Sequence, residues 1–343
     1  MGYIVTIGIP VYKASGYIEK TMEHALNQTF ANIEYLVIDD RSGDGSIEVV
    51  EHLKSDHPRG GDIRILYHDR NCGVGMTRNH ILDEARGKYL YFLDSDDLIE
   101  PETISLLVEN SEKYQADVVY GSLDRIDRIN DRPGLSSIFP DSRFMSENEL
   151  AVYAFANYNS FQISVCNCLM RLDFIRANQL RFLDTVFWED LAFTYEMVTK
   201  VKRAVLLPSV TYHYLCRPGS LSHYQDREKL EKVEIQRNVH VIDYLKEKSR
   251  TLIGKPYIPH LCKNLEMNSF YIVCHILKHA KRICPSFTSQ ELRAVMSHPL
   301  PLREILKFQH VLLPNVVLWL LGKLPLPFFK PAIWLLGKLR KAI

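Results

Sequence analysis

The stretch that decides the fold is Lys88-Tyr-Leu-Tyr-Phe-Leu-Asp-Ser-Asp-Asp97, in which an apolar strand over Lys88–Leu93 runs directly into carboxylates. Strand-like runs of the same kind recur at Ile4–Ile9, Glu34–Ile38, Ile63–Tyr67 and Asp117–Tyr120. Helix-like segments separate these runs, near 16–28, 45–55, 75–86 and 102–114. This alternation predicts βαβ units and a mostly parallel sheet covered on both faces, which is an α/β fold.

Polar residues follow four of these strands, at the turns where the strands end. The turns are Ile9-Pro-Val-Tyr12, Ile38-Asp-Asp-Arg-Ser-Gly-Asp44, Asn71-Cys-Gly-Val-Gly-Met-Thr-Arg-Asn79 and Leu93-Asp-Ser-Asp-Asp97. Ligands of open parallel sheets bind beyond the carboxyl ends of the strands, so we expect the four turns to gather at one edge. The alternative is that their Asp, Ser and Gly residues only cap helices and make turns. Four such turns in succession favour a binding site.

The charged side chains of these turns suit a phosphorylated ligand. Asp94 and Asp96, two residues apart after a strand, can address a hard divalent cation that keeps water and phosphate oxygens as its other ligands. Asp39 and Asp40 face the same edge and can hold a ribose or a base. Arg78 follows a glycine-rich turn and can meet a phosphate beside free backbone N–H groups. A dinucleotide-binding fingerprint is not supported, because Arg78 stands where its third glycine is required.

Composition limits the classes of function that remain. The 343 residues carry 42 Lys and Arg against 41 Asp and Glu, a net charge of +1, which argues against a nucleic-acid-binding polycation. The seven cysteines form no Cys-x-x-Cys pair, so the sequence predicts reduced thiols in a cytoplasmic protein, without a zinc site or a disulfide framework. The first strand begins without a preceding basic region or cleavage site, which argues against a signal peptide.

Taken in order, these motifs resemble those of the family 2 glycosyltransferases. The similarity covers roughly residues 3–222 and continues in Arg181-Phe182, Trp188-Glu-Asp190 and Tyr212-His-Tyr-Leu-Cys-Arg217-Pro-Gly-Ser220. One departure is His213-Tyr-Leu-Cys216, where many relatives carry an arginine soon after the tyrosine. The resemblance implies the GT-A nucleotide-diphospho-sugar transferase fold, a Rossmann-like sheet, here with a C-terminal helical extension. It also implies an inverting transfer from a nucleotide-sugar donor, expected to be a UDP-sugar.

The resemblance also implies roles for individual residues. Asp190 would be the general base with Glu189 as its neighbour, and Asp96 would coordinate Mg²⁺ or Mn²⁺ on the diphosphate. Asp39 is the better candidate for contacting uracil and Asp94 for contacting ribose. The whole set expected to bind the nucleotide-sugar is Pro10, Val11, Tyr12, Asp39, Asp40, Arg78, Asp94, Ser95 and Arg217. As alternatives, Trp188-Glu-Asp190 can cap a helix over 191–200, and Arg217 can simply anchor a turn.

The predicted activity is the transfer of one sugar to a hydroxyl of a polysaccharide or a lipid-linked glycan. A sugar nucleotidyltransferase is a second interpretation, but it needs a glycine-rich, arginine-containing loop where this chain has Ile9-Pro-Val-Tyr12. A catalytically silent nucleotide-sugar-binding or scaffold protein is a third, and the presence of Asp94, Asp96 and Asp190 argues against it. Homo-oligomerisation stays open.

The C-terminal residues differ from the rest of the chain. Residues 305–343 hold six basic residues and no acidic one, whereas 36 basic and 41 acidic residues precede them. They also repeat a hexapeptide, Trp319-Leu-Leu-Gly-Lys-Leu324 and Trp334-Leu-Leu-Gly-Lys-Leu339. We expect short helices here, broken by Pro314, Pro325, Pro327 and Pro331.

Basic, apolar helices with tryptophan suit an anionic membrane surface. The sequence therefore predicts a cytoplasmic protein bound peripherally to the inner face of the cytoplasmic membrane. Packing of the tail on the body or on another subunit is the alternative. The predicted division is a transferase domain over 1–222, a helical region over 223–304 and a membrane-associating tail over 305–343.

Overall fold

The computed structural model describes residues 2–127, 132–133, 136–157, 161, 164–185, 187–216 and 229–342. The chain forms two compact units, the first from Met1–Leu150 and Gln162–Ser220 and the second from Ala151–Phe161 and Leu221–Ile343. The division expected from the sequence, with boundaries after 222 and 304, stays a prediction.

The first unit is built on one large sheet. In the described part of the chain its strands are β1 (Val5–Val11), β2 (Ile33–Asp39), β3 (Ile63–Tyr67), β4 (Tyr89–Phe92), β5 (Leu98–Ile99), β6 (Val118–Asp127), β7 (Arg132–Pro133), β8 (Ser142–Phe144), β9 (Cys168–Arg171) and β10 (Ala204–Cys216). Their order is β3-β2-β1-β4-β9-β6-β10-β5, with β7 on β6 and β8 on β10. The first four strands are parallel, and β9 lies antiparallel between β4 and β6.

Helices connect and cover these strands. They are α1 (Ile18–Leu26), α2 (Ser46–Asp56), α3 (Val74–Glu84), α4 (Thr103–Tyr114), α6 (Leu172–Ala177) and α7 (Glu189–Lys200), with a short 3-10 turn at Gly60–Asp62. Helix α5 (Glu149–Ala156) has its first two residues in this unit and the rest in the second. Every residue of β1 and β2 is buried, as expected for parallel strands covered on both faces. The architecture confirms the predicted α/β fold.

The first strand is longer than the sequence predicts, and this changes where its last residues lie. The strand continues from Ile9 through Pro10 to Val11, so both residues belong to β1 and not to a turn. Pro10 is tolerated because the pairing of β1 with β4 ends at Gly8 and Phe92, and Pro10 pairs with β2 alone. A Cβ on Gly8 would come within 2.4 Å of Ile81, so glycine lets α3 pack closely on the strand.

The second unit is mainly helical. Its elements within the described residues are α8 (Lys232–Arg250), α9 (Ile258–Lys278), α10 (Ser289–Val295), α11 (Leu302–Ile305), α12 (Leu312–Lys323) and α13 (Leu326–Leu339), with the paired short strands β11 (Leu230–Glu231) and β12 (Ile283–Cys284). Helices α8 and α9 pack together around a buried ion pair, in which Lys246 Nζ lies 2.7 Å from Glu266 Oε1.

The C-terminal helices α12 and α13 both pack against α9. Helix α13 buries Phe329, Ile333 and Gly337, while Leu335 and Leu339 on another face are 58% and 73% exposed. The expected break at Pro331 is wrong, because α13 continues through this residue; a proline there removes only one backbone hydrogen bond. No helix in the described part of the chain is both long and apolar enough to cross a membrane.

Candidate active site

The carboxyl ends of β1, β2 and β4 carry the predicted acidic and aromatic residues of the site. Strand β2 ends at Asp39, and Asp40 follows it directly. Asp94 follows the end of β4 by two residues. Tyr12, directly after β1, is 45% exposed, with Lys13 Nζ 5.3 Å from the centroid of its ring. Because these strands are neighbours in the sheet, their ends form one edge, as the sequence predicts.

Asp39 and Asp40 are both buried, and hydrogen bonds hold each of them. Asp39 Oδ1 accepts the backbone N–H of Ser42 at 2.9 Å. The carboxylate of Asp40 accepts the backbone N–H groups of Cys72 at 2.7 Å and Gly73 at 2.8 Å. Asp40 therefore holds the glycine-rich turn in front of α3.

Asp40 also belongs to a hydrogen-bonded chain with two histidines. Its Oδ1 lies 2.8 Å from His68 Nδ1, and His68 Nε2 lies 2.9 Å from His80 Nδ1. Within the described residues, Asp40, His68 and Cys72 are the one group of three possible metal ligands whose atoms lie within 4.8 Å of one another. Both oxygens of Asp40 already accept hydrogen bonds from the glycine-rich turn, so this group stabilises the turn without needing a metal ion.

The centre of the site is the buried guanidinium of Arg78, in the second turn of α3. Its Nη1 donates to Glu189 Oε1 at 2.8 Å, and its Nη2 donates to Asp94 Oδ1 at 2.8 Å. The guanidinium also lies over the rings of Phe92 and Phe182, at 6.0 and 5.7 Å from their centroids. Arg78 thus joins two carboxylates 95 residues apart in the chain, Asp94 and Glu189, in a low-dielectric setting where charge-assisted bonds are strong.

The acidic turn after β4 contains a third carboxylate, Asp97, which stabilises the turn. Asp97 is 1% exposed and accepts the hydroxyl of Tyr212 at 2.7 Å and the backbone N–H of Leu215 at 2.8 Å, which ties the turn to β10. Burial, and then the negative charges of Asp94 and Asp96, raise the pKa of Asp97 well above its usual range. Sequence reasoning missed this anchor, because its partners lie more than a hundred residues away.

Ser95 and Asp96 differ in accessibility, and Arg217 lies outside the described residues. Ser95 is buried, and its backbone carbonyl accepts the hydroxyl of Thr21 at 3.1 Å. Asp96 is partly exposed at the edge of the sheet.

His213 of β10 forms contacts through both of its ring nitrogens. Its Nδ1 lies 2.6 Å from Asp124 Oδ1, and its Nε2 lies 2.7 Å from Glu100 Oε1.

Glu189 and Asp190 form the first turn of α7. The residue before them, Trp188, has a φ of 62°, a left-handed conformation that is rare for a bulky residue and concentrates at functional sites. Helix α3 comes close to this turn, since a Cβ on Gly75 would lie 3.3 Å from Glu189. The helix start is therefore held in place against Arg78 and its helix.

The carboxyl groups of Glu189 and Asp190 both have raised pKa values. Burial, followed by the charge of the Asp190 carboxylate, raises the pKa of Glu189 to about 7, against the opposing effect of Arg78. Burial likewise raises the pKa of Asp190, which Arg78 again opposes. Asp190 remains partly exposed and Glu189 is buried. Raised carboxyl pKa values beside a fixed cation are typical of acid–base sites.

Comparisons with known proteins agree with this geometry. The model of the family described as glycosyl transferase family 2 matches residues 6–177. Glycosyltransferase GlyG of Streptococcus pneumoniae serotype 4 is 25% identical over 230 residues, which are 64% of this chain and 73% of that protein.

Two solved structures share the fold. S. aureus TarS 1-349 in complex with UDP-GlcNAc has a TM-score of 0.67 at 17% identity, covering 93% of this chain and 90% of that one. The mannosyltransferase PcManGT from Pyrobaculum calidifontis, in complex with GDP-Man and Mn²⁺, has a TM-score of 0.54 at 17% identity, covering 92% and 86%. With the family match over half of its length, the chain belongs to glycosyl transferase family 2 and is a glycosyltransferase.

Proposed function

We propose that this glycosyltransferase moves a sugar from a UDP-sugar to a hydroxyl of a polysaccharide or lipid-linked glycan, with inversion at the anomeric carbon. The observation that carries the proposal is the bridge made by Arg78, with both terminal nitrogens 2.8 Å from carboxylates. Through it the acidic turn after β4 and the acidic start of α7 belong to a single site. A donor bound along the sheet edge would then present its sugar to Asp190. The complex of the fold relative TarS with UDP-GlcNAc supports the choice of donor.

On the donor side, the exposed ring of Tyr12 can stack on the base, and Asp39 can accept its N–H group. Pro10, Val11 and Ser95 then shape the pocket around the nucleoside. Asp40 and Arg78 act through other groups in this proposal, because Asp40 holds the turn before α3 and Arg78 orients Asp94. Arg217 keeps the predicted contact with the diphosphate.

A divalent cation, Mg²⁺ or Mn²⁺, fits the acidic turn. Asp94 and Asp96 offer hard carboxylate oxygens, and after burial their negative charges are the next causes of the raised pKa of Asp97. Asp96 would be the main ligand, as the family resemblance implies, and its side chain is partly exposed at the sheet edge. When bound, such an ion offsets the negative charge that develops on the departing diphosphate. The Mn²⁺ in the complex of PcManGT supports a metal of this kind.

Asp190 is the better candidate for the general base. The acceptor hydroxyl must lose its proton as it attacks the anomeric carbon, and the base must lie within about 2.6–3.2 Å of that hydroxyl. Asp190 is accessible, whereas Glu189 is buried and bound by Arg78. The raised pKa makes Asp190 a stronger proton acceptor than an ordinary aspartate. Direct displacement with one such base accounts for inversion.

Substitution of Asp190→Asn tests this assignment. We expect nucleotide-sugar binding, measured by calorimetry, to survive, while transfer falls by about 10²–10⁴, the usual range for a positioned acid or base. Asp184→Asn, which changes an exposed aspartate near the same helix, is the matched control and should retain transfer. Equal losses of donor binding and transfer in Asp190→Asn would move Asp190 to the donor site. Unchanged transfer would favour the silent, nucleotide-sugar-binding alternative or a different base.

We further propose that the tail attaches the enzyme to an anionic membrane surface at the inner face of the cytoplasmic membrane. Leu335 and Leu339 of α13 are exposed, and so are Leu313 and Leu320 of α12. The repeated hexapeptide has the same design in both helices, since Lys323 lies over Trp319 at 5.7 Å and Lys338 over Trp334 at 3.7 Å. Amphipathic Trp and Lys side chains of this kind suit the headgroup layer. Homo-oligomerisation stays a prediction.

A further inference from the structure

The second unit holds a basic pocket that the proposed reaction does not use. It lies between the C-terminal ends of α9 and α13 and has a volume of about 310 Å³. Its main lining residues are Tyr271, His275, Lys278, His279, Arg340 and Lys341. A volume near 300 Å³ is at the lower end of the range for small-molecule sites, so the pocket suits a small polar group.

The charges that line this pocket all have the same sign. Lys278, Arg340 and Lys341 are permanently positive, and no Asp or Glu side chain among the described residues lines the pocket. Within the described part of the chain none of these three residues forms an ion pair. Lysine and arginine side chains gathered around a concave site without acidic partners leave a positive potential for an anion to offset.

The two histidines of the pocket have lowered pKa values, to which the nearby positive charges contribute after burial. Burial, followed by the positive charges of His279, Arg282 and Lys278, lowers the pKa of His275 to about 4. The pKa of His279 is also lowered, by burial and then by Arg282 and Lys278. His275 Nε2 is buried and, among the described residues, has no hydrogen-bond partner. Among the described residues the pocket therefore holds three permanent cations that form no ion pair, beside a histidine whose lowered pKa keeps it neutral.

A purely structural explanation covers only part of this charge. Basic residues near helix C-termini complement the helix dipole, whose negative end is equivalent to roughly half a charge. Two helices end at this pocket, so their dipoles account for about one charge in total. Three permanent cations exceed that amount, which leaves the pocket positive.

One residue of the pocket, Arg340, directly follows the most exposed apolar residue of α13 in the sequence. Leu339, 73% exposed, directly precedes Arg340. Leu335 and Trp334, one turn earlier, are 58% and 46% exposed. Exposed cations beside exposed apolar side chains match the layered chemistry of a membrane, where phosphate groups lie next to hydrocarbon.

We propose that this pocket binds a phosphate group, carried either by the headgroup of an anionic lipid or by a small soluble phosphate. Lys278 and Arg340, one from each side of the pocket, donate charge-assisted hydrogen bonds to the phosphate oxygens, and His275 and Lys341 complete the site. The headgroup version extends the membrane association proposed above. Neither version depends on the sugar-transfer reaction.

The test compares two double variants of the full chain that remove equal charge. Lys278→Gln with Arg340→Gln removes two cations from the pocket, whereas Lys255→Gln with Lys330→Gln removes two cations of the same unit that do not line it. Binding to mixed phosphatidylcholine and phosphatidylglycerol vesicles is measured by sedimentation. We expect the pocket variant to bind about tenfold or more weakly than the control variant, because phosphate loses charge-assisted hydrogen bonds only there.

Glycerol phosphate, titrated by calorimetry, distinguishes the two sources of phosphate. Binding to the wild type that the pocket variant loses would identify a site for soluble phosphates, whatever the vesicles show. Absence of this binding, with the vesicle difference intact, would identify a lipid headgroup as the ligand. Equal vesicle affinities of the two variants, without loss of glycerol phosphate binding in the pocket variant, would overturn the site. Nucleotide release measured without vesicles should stay at the wild-type rate in both variants, so the proposed reaction is tested separately.

Discussion

Two charged regions of this protein place basic side chains in opposite surroundings. At the sheet edge of the first unit, the guanidinium of Arg78 is buried between Asp94 and Glu189, 2.8 Å from each. In the basic pocket of the second unit, Lys278 and Arg340 line a cavity to which the described residues bring no acidic side chain. The first cation is paired with two carboxylates within the protein and fixes their positions. The second set has no partner in the pocket, and this difference separates a positioning residue from a binding site.

The largest effect should come from the acidic turn that Arg78 helps to hold. Asp96→Asn removes the main anionic ligand of the proposed cation, which is worth several kcal/mol in the transition state. We expect metal-dependent turnover to fall by about 10³-fold or more, measured as nucleotide release over a titration of Mn²⁺.

The matched control for this experiment lies at the other edge of the sheet. Asp173 is exposed at the start of α6, which follows the antiparallel strand β9, and Asp173→Asn should keep the wild-type rate. Near-wild-type turnover of folded Asp96→Asn would show that the cation is held elsewhere. The group of Asp40, His68 and Cys72 would then be the next candidate.

A smaller effect should appear in stability, through the carboxyl group that Arg78 binds. The pKa of Glu189 is about 7 in the folded protein, compared with about 4.3 in an unfolded chain. Between these values the folded state holds the proton that the unfolded state has lost, so stability falls as pH rises. From pH 5 to 8 we expect Glu189 to lower the free energy of unfolding by about 2–3 kcal/mol, measured by urea denaturation.

Glu189→Gln cannot ionise and should lose this part of the pH dependence, while Glu109→Gln, an exposed change on α4, should keep it. Asp97 and Asp190, whose pKa values are also raised, remain in both variants. A Glu189→Gln variant with the full wild-type decline between pH 5 and 8 would mean that Arg78 keeps Glu189 ionised throughout. The bridge would then be a permanent ion pair.

The sequence could predict the sheet edge because its information is local. Apolar runs mark the strands, and β3 occupies Ile63–Tyr67 as expected. Acidic residues directly after a strand must lie near its end, so the positions of Asp39 and Asp94 follow from chain order. The match to glycosyl transferase family 2 argues against the alternative of a sugar nucleotidyltransferase.

What could not be predicted depends on partners distant in the chain. Chain order alone suggests a phosphate for Arg78, whereas in the structure its guanidinium is bound by Glu189, 111 residues later. Nothing in the local sequence indicates that Asp97 binds Tyr212, 115 residues later. In the tail, periodicity alone could not tell which apolar face of α13 packs on α9 and which stays exposed, since both faces carry large apolar side chains.

The smallest effect concerns that exposed face. Deleting the tail after Glu304 would uncover the residues against which Phe329 and Ile333 are buried, so substitutions test the membrane proposal more cleanly. Leu335→Gln with Leu339→Gln removes exposed apolar surface without touching a charge or the packed face. We expect vesicle affinity to fall by about tenfold, and the loss to persist at raised salt, because burial of apolar surface is not screened. Val233→Gln with Ile253→Gln, two exposed apolar residues of the same unit outside the tail, should bind vesicles normally. Equal binding by the two double variants would leave the basic residues, including those of the pocket, as the only attraction to the membrane.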